Sequence, residues 1–340
     1  MLYNDINRND QPRSPAVSAI IATRLRPKLV RRAIDSVLQQ TFADLELIVV
    51  VDGPDPETES ALSSVQDSRL RVIVNSKNLG CACSRMVGVN AAAGEWVAFL
   101  DDDDEWLPTK LERQVEEVSR VAPPDRSRLI VLCLLHIVSP FGDCVRPKRP
   151  YENSQPFDVW LFDRTRFSNG SVCQTSSVFV STELVRSLKF RQSTPHDDWD
   201  FVLRAIAERK ARIATVTEPL ARHYRDDLTP RMSSNPRNHH RIAESLDWLD
   251  GLGDAVSRRG YAAFCLSVIA LNATDRRNLS WFWPLLSRAF RRGRPTVRQV
   301  AAYLALWVIG KPLRRRALAF MIEHQQQGPT QVGSGHLVGL

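Results

Sequence analysis

The chain predicts an α/β fold: a doubly wound, mixed and mostly parallel sheet followed by a C-terminal helical extension. Three observations predict it. Apolar strands alternate with helical patterns at short spacing from residue 17 onward. One strand, Trp-Val-Ala-Phe-Leu at 96–100, runs straight into Asp101, Asp102, Asp103 and Asp104. After about residue 238 only helical patterns remain.

Residues 17–22 (Val-Ser-Ala-Ile-Ile-Ala) read as the first strand. Residues 27–40 read as a helix with Val30, Ala33, Ile34, Val37 and Leu38 on one face. A strand over 46–51 stops at Asp52-Gly53-Pro54, a strong turn signal. A helix over 57–66, a strand over 70–74 and a helix over 80–93 lead to Gly94 and the strand with the aspartates. Pro108 suits the first turn of a helix whose Leu111, Val115 and Val118 face inward. Pro123-Pro124 marks a change of region. Beyond it, 129–138, 176–180 and 212–217 read as strands, with a polar stretch dotted with aromatics up to Asn169. A helix over 197–210 turns Trp199, Val202, Leu203 and Ile206 inward, and the terminal helices break at Gly251, Gly260, Pro284, Pro295 and Pro312. The expected organisation is a flexible N-terminus (1–15), a catalytic domain (16–235, divided at 122/123), a basic helical extension (236–324) and a disordered tail (325–340).

A chain of 340 residues, 43% hydrophobic and 25% charged, can bury one large core or two modest ones. Its six cysteines are scattered without Cys-x-x-Cys spacing, which excludes a zinc framework and suits reduced thiols in the cytoplasm. The polar N-terminus does not read as a secretory signal, so the sequons at Asn169, Asn272 and Asn278 read as chance matches. The net charge of +8 is uneven: residues 231–340 hold 16 Lys/Arg against 6 Asp/Glu, whereas 1–230 hold 30 against 32.

Four adjacent aspartates cannot all ionise in a dry place without compensation. A strand ending in them delivers anionic oxygens to the carboxyl edge of a sheet, where open α/β sheets bind ligands. A hard divalent cation, Mg²⁺ or Mn²⁺, is the simplest compensation, and such ions commonly grip nucleotide phosphates. A solvated acidic turn is the plain alternative. A calcium loop is excluded, because Asp101, Asp103, Glu105 and Glu112 fit its spacing but Trp106 stands where it needs glycine.

Asp52 at a turn, Asn78-x-Gly80, Gly94-Glu95-Trp96, Leu100-Asp101-x-Asp103-Asp104 and Asp197-Asp198-Trp199-Asp200 follow one another in order. Over residues 16–232 this series resembles the family-2 glycosyltransferases, inverting sugar transferases of the GT-A fold. The resemblance implies that Asp52 contacts the nucleotide base and that Ala22, Asn78 and Arg85 lie along the nucleotide-sugar; a surface arginine is the alternative for Arg85. It implies that Asp101 and Asp103 form the Asp-x-Asp element, Asp101 at ribose and metal, Asp103 on the metal, with Asp104 orienting the group. It implies that Asp198 is the general base; capping of a helix by Asp197 or Asp198 is the structural alternative. Arg222-His223-Tyr224-Arg225 stands where the family carries a loop near the diphosphate, which makes His223 a third metal ligand and Arg225 a phosphate contact; a solvated loop fits equally. The first strand departs from the family in ending Ala22-Thr23-Arg24, as do Val51 before Asp52 and Met86 after Arg85.

Between Pro284 and Ile322 stand nine Arg/Lys and no acid, interleaved with Trp281-Phe282-Trp283 and an apolar run over 300–309. That run is half a bilayer crossing. Over 281–316 the segment suits an anionic membrane surface; a helical cap with a solvated basic face is the alternative, and nucleic acid is not expected, since no binding motif accompanies the charge. The expected function is metal-assisted transfer of a sugar from a nucleotide-diphosphate donor, a UDP-sugar, to a saccharide or lipid-linked acceptor. The setting implied is exopolysaccharide assembly, in the cytoplasm or on the inner membrane face. A sugar-phosphate nucleotidyltransferase would carry a glycine-bearing loop that 22–28 lacks, a glycoside hydrolase would need no metal, and a nucleotide-sugar-binding or membrane scaffold protein would dispense with Asp198.

Overall fold

The computed structural model describes residues 14–140, 142–165, 173–192, 194–225, 241–275 and 278–309. The expected N-terminus up to residue 13, the tail, Asn169, Pro312, Lys311 and Arg314 to Arg316 lie outside them.

Strands β1 (Val17–Thr23), β2 (Leu45–Val51), β3 (Leu70–Val74) and β4 (Trp96–Asp101) are mutually parallel, in the order β3-β2-β1-β4. β1, β2 and β4 are apolar at nearly every position because helices cover both faces. On one face lie α1 (Pro27–Leu38) and α4 (Lys110–Ser119), on the other α3 (Cys81–Ala91). α1 buries Val30, Ala33, Ile34 and Val37, the face its spacing announces. α2 (Pro56–Ser63) starts where Asp55 accepts a hydrogen bond from Thr58 N. Pro108 precedes the N-cap residue Thr109 of α4, so it stands before the first turn and not in it, and the short α5 (Pro123–Arg126) follows α4.

The sheet then becomes mixed. Past β4 it continues through β8 (Phe179–Ser181), β6 (Leu129–Val138), β9 (Arg212–Tyr224) and β5 (Glu105–Trp106), with β7 (Cys144–Arg146) paired to β6. β8 is antiparallel to β4 and β6, whereas β6 and β9 are parallel. The expected strand over 176–180 is corrected: Thr175–Ser177 form a 3₁₀ turn, because the serine hydroxyls bond locally and to Asp104. The strand expected to stop at Thr217 runs seven residues further. Pro219 is accommodated at the irregularity where β6 shifts register at Leu134.

The aromatic-dotted stretch contains a helix, α6 (Phe157–Phe162), all six of whose residues are buried. Buried on every side, it has no polar face and therefore no legible period. α7 (Thr182–Leu188) and α8 (Asp197–Arg209) follow. The C-terminal helices are α9 (Arg241–Gly251), α10 (Arg258–Ala263) running through a π-helical stretch into α11 (Ala270–Asp275), α12 (Phe282–Arg291) and α13 (Val297–Val308). Two expected breaks lie inside helices. Gly260 sits in α10, where a Cβ would collide with Asp158, and Pro284 sits in the first turn of α12, where its missing N–H costs little. These helices share one apolar cluster with α6 and α8. Ser257 donates to Asp158, Ser267 to the carbonyl of Phe162, and Trp248 to Asp200.

Candidate active site

Parallel pairing places the ends of β1, β2 and β4 on one edge: Ala22 lies opposite Val50 and Asp101, and Thr23 opposite Val51. Every acidic side chain at this edge is held differently. Asp52 is buried and accepts from Leu79 N at 2.7 Å, Gly80 N at 2.9 Å and Asn75 Nδ2 at 3.3 Å. Gly53 (φ +102°) packs so closely on Asn78 that a Cβ would sit 3.0 Å from its nitrogen. Asp52 therefore fixes the 78–80 loop, in which exposed Asn78 accepts from Gly80 N.

Asp101 accepts from Arg85 Nη2 at 2.7 Å. Asp102 is buried and accepts from Thr23 Oγ1 and Arg26 Nη1, both at 2.8 Å. Burial pushes its carboxyl up to about 6, with Arg26 and Thr23 working the other way. Asp103 lies 3.5 Å from Arg26, and its carbonyl accepts from Arg32. Asp104, fully buried, accepts from Ser176 Oγ at 2.6 Å and lies 2.9 Å from His223 Nδ1. The same Ser176 hydroxyl accepts from Asp101 N.

Arg85 joins this edge to α8. Its side chain is 8% exposed, and it donates to Asp101 and, at 2.5 Å, to Asp197 Oδ2. The N-cap of α8 is His196, so Asp197 and Asp198 stand in the first turn and neither is the cap. Anions are favoured there by the helix dipole. Burial, followed by the neighbouring charge of Asp197, pushes the Asp198 carboxyl up to about 8. Trp199 stacks on His196 at 4.7 Å and donates to the carbonyl of Cys173. Asp200 is structural: it is fully buried and pairs with Arg204 at 2.7 Å.

His223 is not on a loop; it is near the end of β9, on a strand, with its imidazole against Asp104 and Gln174. The structure does not gather it with Asp101 and Asp103. Among the described residues no three His, Cys, Asp or Glu side chains are grouped so as to hold a metal. Mg²⁺ and Mn²⁺ are often held by one or two carboxylates with substrate phosphates completing the coordination. The donor set fits that arrangement and not a cage made of protein alone.

Thr23, Arg26, Asp197 and Ser176 were not singled out as site residues. Arg26 and Asp197 carried weak signals, a cation after strand one and a doubled acid. Thr23 and Ser176 carried none, since their partners are about 70 or more residues away.

Residues 18–123 match the family described as glycosyl transferase family 2. The chain is 24% identical over 248 residues to the amylovoran biosynthesis glycosyltransferase AmsB of Erwinia amylovora, covering 71% of this chain and 79% of that one. It is 28% identical to an uncharacterized glycosyltransferase of Methanocaldococcus jannaschii, covering 57% of this chain and 65% of that relative's length. It is 35% identical over 99 residues to the Escherichia coli UDP-Glc:alpha-D-GlcNAc-diphosphoundecaprenol beta-1,3-glucosyltransferase WfgD, covering 29% of this chain and 39% of that one. Among solved structures, S. aureus TarS in complex with UDP-GlcNAc aligns with TM-score 0.51 at 15% identity, covering 92% of each chain. The mannosyltransferase PcManGT of Pyrobaculum calidifontis, in complex with GDP-Man and Mn²⁺, aligns with TM-score 0.50 at 18% identity, covering 94% of this chain and 82% of that one. Residues 18–123 are thus similar to the family-2 glycosyltransferases, and the fold is GT-A.

Proposed function

We propose that this chain transfers a sugar, with inversion, from a nucleotide-diphosphate donor to a hydroxyl acceptor in polysaccharide assembly. The observation that carries the reading is Arg85, which ties Asp101 of the aspartate edge to Asp197, next to Asp198, at the start of α8. One buried cation thus couples a phosphate-facing edge to a carboxylate suited to take a proton.

In this reading Asp52 and the 78–80 loop hold the nucleotide base, with the end of β1 at Ala22 beside the ribose. Asp101 and Asp103 would hold Mn²⁺ or Mg²⁺ against the diphosphate, where the ion would supply Lewis-acid stabilisation of the leaving group. Asp102 stays with Thr23 and Arg26, and Asp104 orients the edge through Ser176 and His223. Asp198 accepts the proton of the acceptor hydroxyl as that oxygen attacks the anomeric carbon, and its upward-shifted carboxyl is matched to the task. Attack opposite the leaving nucleotide inverts the anomeric centre. A UDP-sugar is the donor favoured by TarS and WfgD, and a lipid-linked saccharide is the acceptor favoured by WfgD.

Peripheral attachment to an anionic membrane, on its cytoplasmic face, is part of the proposal. Leu279, Trp283, Phe290, Val297 and Val308 are exposed apolar side chains of the C-terminal helical region, which also carries the basic residues. The basic face is partly neutralised, however, because Arg288 and Arg292 both pair with Asp250. No helix of the described residues is long and apolar enough to cross a membrane.

The test is a binding and hydrolysis screen of UDP-, GDP- and dTDP-sugars with Mn²⁺ and with EDTA, using wild type, Asp103→Ala and Asp198→Ala. Metal-dependent release of one nucleoside diphosphate, abolished by Asp103→Ala, is the expected result. No binding of any donor under either condition would reduce the aspartates to a charged turn.

A further inference from the structure

Arg164, two residues beyond α6, is a half-buried cation that has no counterion among the described residues. Its Nε is sealed from solvent and has no hydrogen-bond partner. Its guanidinium lies 6.0 Å from the ring centroid of Trp199, and among the described residues the charge that acts on it is a second cation, Arg225, just past β9. Burial, followed by that like charge, pulls the guanidinium down to about 10. The other recessed arginines of the catalytic part have acceptors: Arg26 meets Asp102, Arg85 meets Asp101 and Asp197, Arg204 meets Asp200, and Arg32, whose Nε is also unpartnered, donates through Nη2 to the carbonyl of Asp103. Leaving the sealed Nε of Arg164 without an acceptor costs stability. A ligand anion removes that cost, and the planar fork of an arginine suits two oxygens of a phosphate.

The position selects which anion. The ion pairs of Asp101 and Asp103, where the donor diphosphate would lie, are with Arg85 and Arg26 and not with Arg164. Arg164 stands instead against Trp199, the residue after Asp198. The flanking residues Asp163 and Thr165 line a cavity of about 670 Å³ that Lys148, Arg149, Arg259 and Arg298 also line. Glu152 also lines the cavity, and against Glu152 and Asp163 the four cations leave its lining net positive.

We propose that Arg164, with Arg225 beside it, forms an oxyanion subsite for a phosphoryl group carried by the acceptor. This rests on the reading of Asp198 as the base that activates the acceptor. Two sources share the chemistry: a soluble sugar phosphate and a lipid-diphosphate-linked saccharide.

The experiment titrates the full-length chain calorimetrically with inorganic phosphate, with and without saturating UDP, in wild type, Arg164→Lys and Arg164→Gln. Wild type should bind phosphate whether or not UDP is present, and Arg164→Gln should weaken that binding roughly tenfold or more. Unchanged binding in Arg164→Gln, or displacement of phosphate by UDP, would overturn the acceptor subsite. Should UDP fail to bind while phosphate binding still depends on Arg164, the donor reading falls and the anion site stands. Acceptor kinetics separate the sources: KM should rise in Arg164→Gln for whichever of the two phosphorylated acceptors is used, and not for the same saccharide without phosphate. Equal KM changes with and without the phosphoryl group would overturn the proposal. Folding is controlled by Arg164→Met, which should melt no lower than wild type in phosphate-free buffer, since it removes an unpaired charge. A drop of several degrees would mean that protein groups hold the guanidinium and that no anion is required.

Discussion

The aspartate edge and the surroundings of Arg164 carry opposite charges and handle them in opposite ways. At the edge, Asp101, Asp102, Asp103 and Asp104 each have a protein partner, drawn from Arg85, Arg26, Thr23, Ser176 and His223. Around Arg164 the charge that acts on it is another cation, and its Nε has no acceptor among the described residues. Four clustered carboxylates are costly enough that the fold compensates them whether or not a ligand is bound. A single guanidinium can be left uncompensated, and that asymmetry marks where a ligand must supply charge.

The largest effect should come from breaking the link to chemistry. Asp198→Asn should lower turnover by roughly 10²–10⁴-fold with donor binding retained, read from kcat beside calorimetric binding of the nucleotide-sugar. Equal losses of binding and turnover would make Asp198 a structural residue of α8. Asp103→Ala should cost on the order of a hundredfold or more in turnover and remove sensitivity to EDTA, whereas Asp104→Ala should instead lower the melting temperature. Arg85→Ala leaves Asp101 and Asp197 facing each other without their shared cation, and should destabilise the fold by about 3–5 kcal/mol in chemical denaturation.

The pH dependence sharpens the same comparison. Asp198 acts as a base only when ionised, so the rate should rise with pH and level off above about 8. Its raised carboxyl works the other way on stability. The fold favours the protonated form, so that contribution is full below the ordinary carboxylate range and is lost as pH rises through about 8. Asp197→Asn removes the like charge and should move the rate midpoint to lower pH; an unmoved midpoint would assign the profile to another group. The smallest effect concerns the C-terminal helices. Replacing Trp283 and Phe290 by serine should reduce co-sedimentation with anionic vesicles by about tenfold at low salt. Sedimentation that is absent in wild type would leave these helices as a cap on the catalytic part.

The alternation of apolar strands and amphipathic helices determined the first half of the molecule, because β1, β2 and β4 are buried on both faces and α1 on one. The aspartate edge was legible for the same reason: carboxylates that follow a buried strand can only emerge at its end. The second half was less legible. α6 has no polar face, β9 passes through Pro219, and the turn at Thr175–Ser177 exists because Ser176 reaches Asp104. Asp101 to Asp104 and Asp198 are readable as candidates one by one, but their partners are not. Thr23 meets Asp102 across 79 positions, and Arg85 meets Asp197 across 112. Contacts at such separation are set by strand order and by the crossing of α8 over the sheet, which no local pattern encodes. The unpartnered Nε of Arg164 is of the same kind, since the lack of an acceptor among the described residues is seen only in the folded chain.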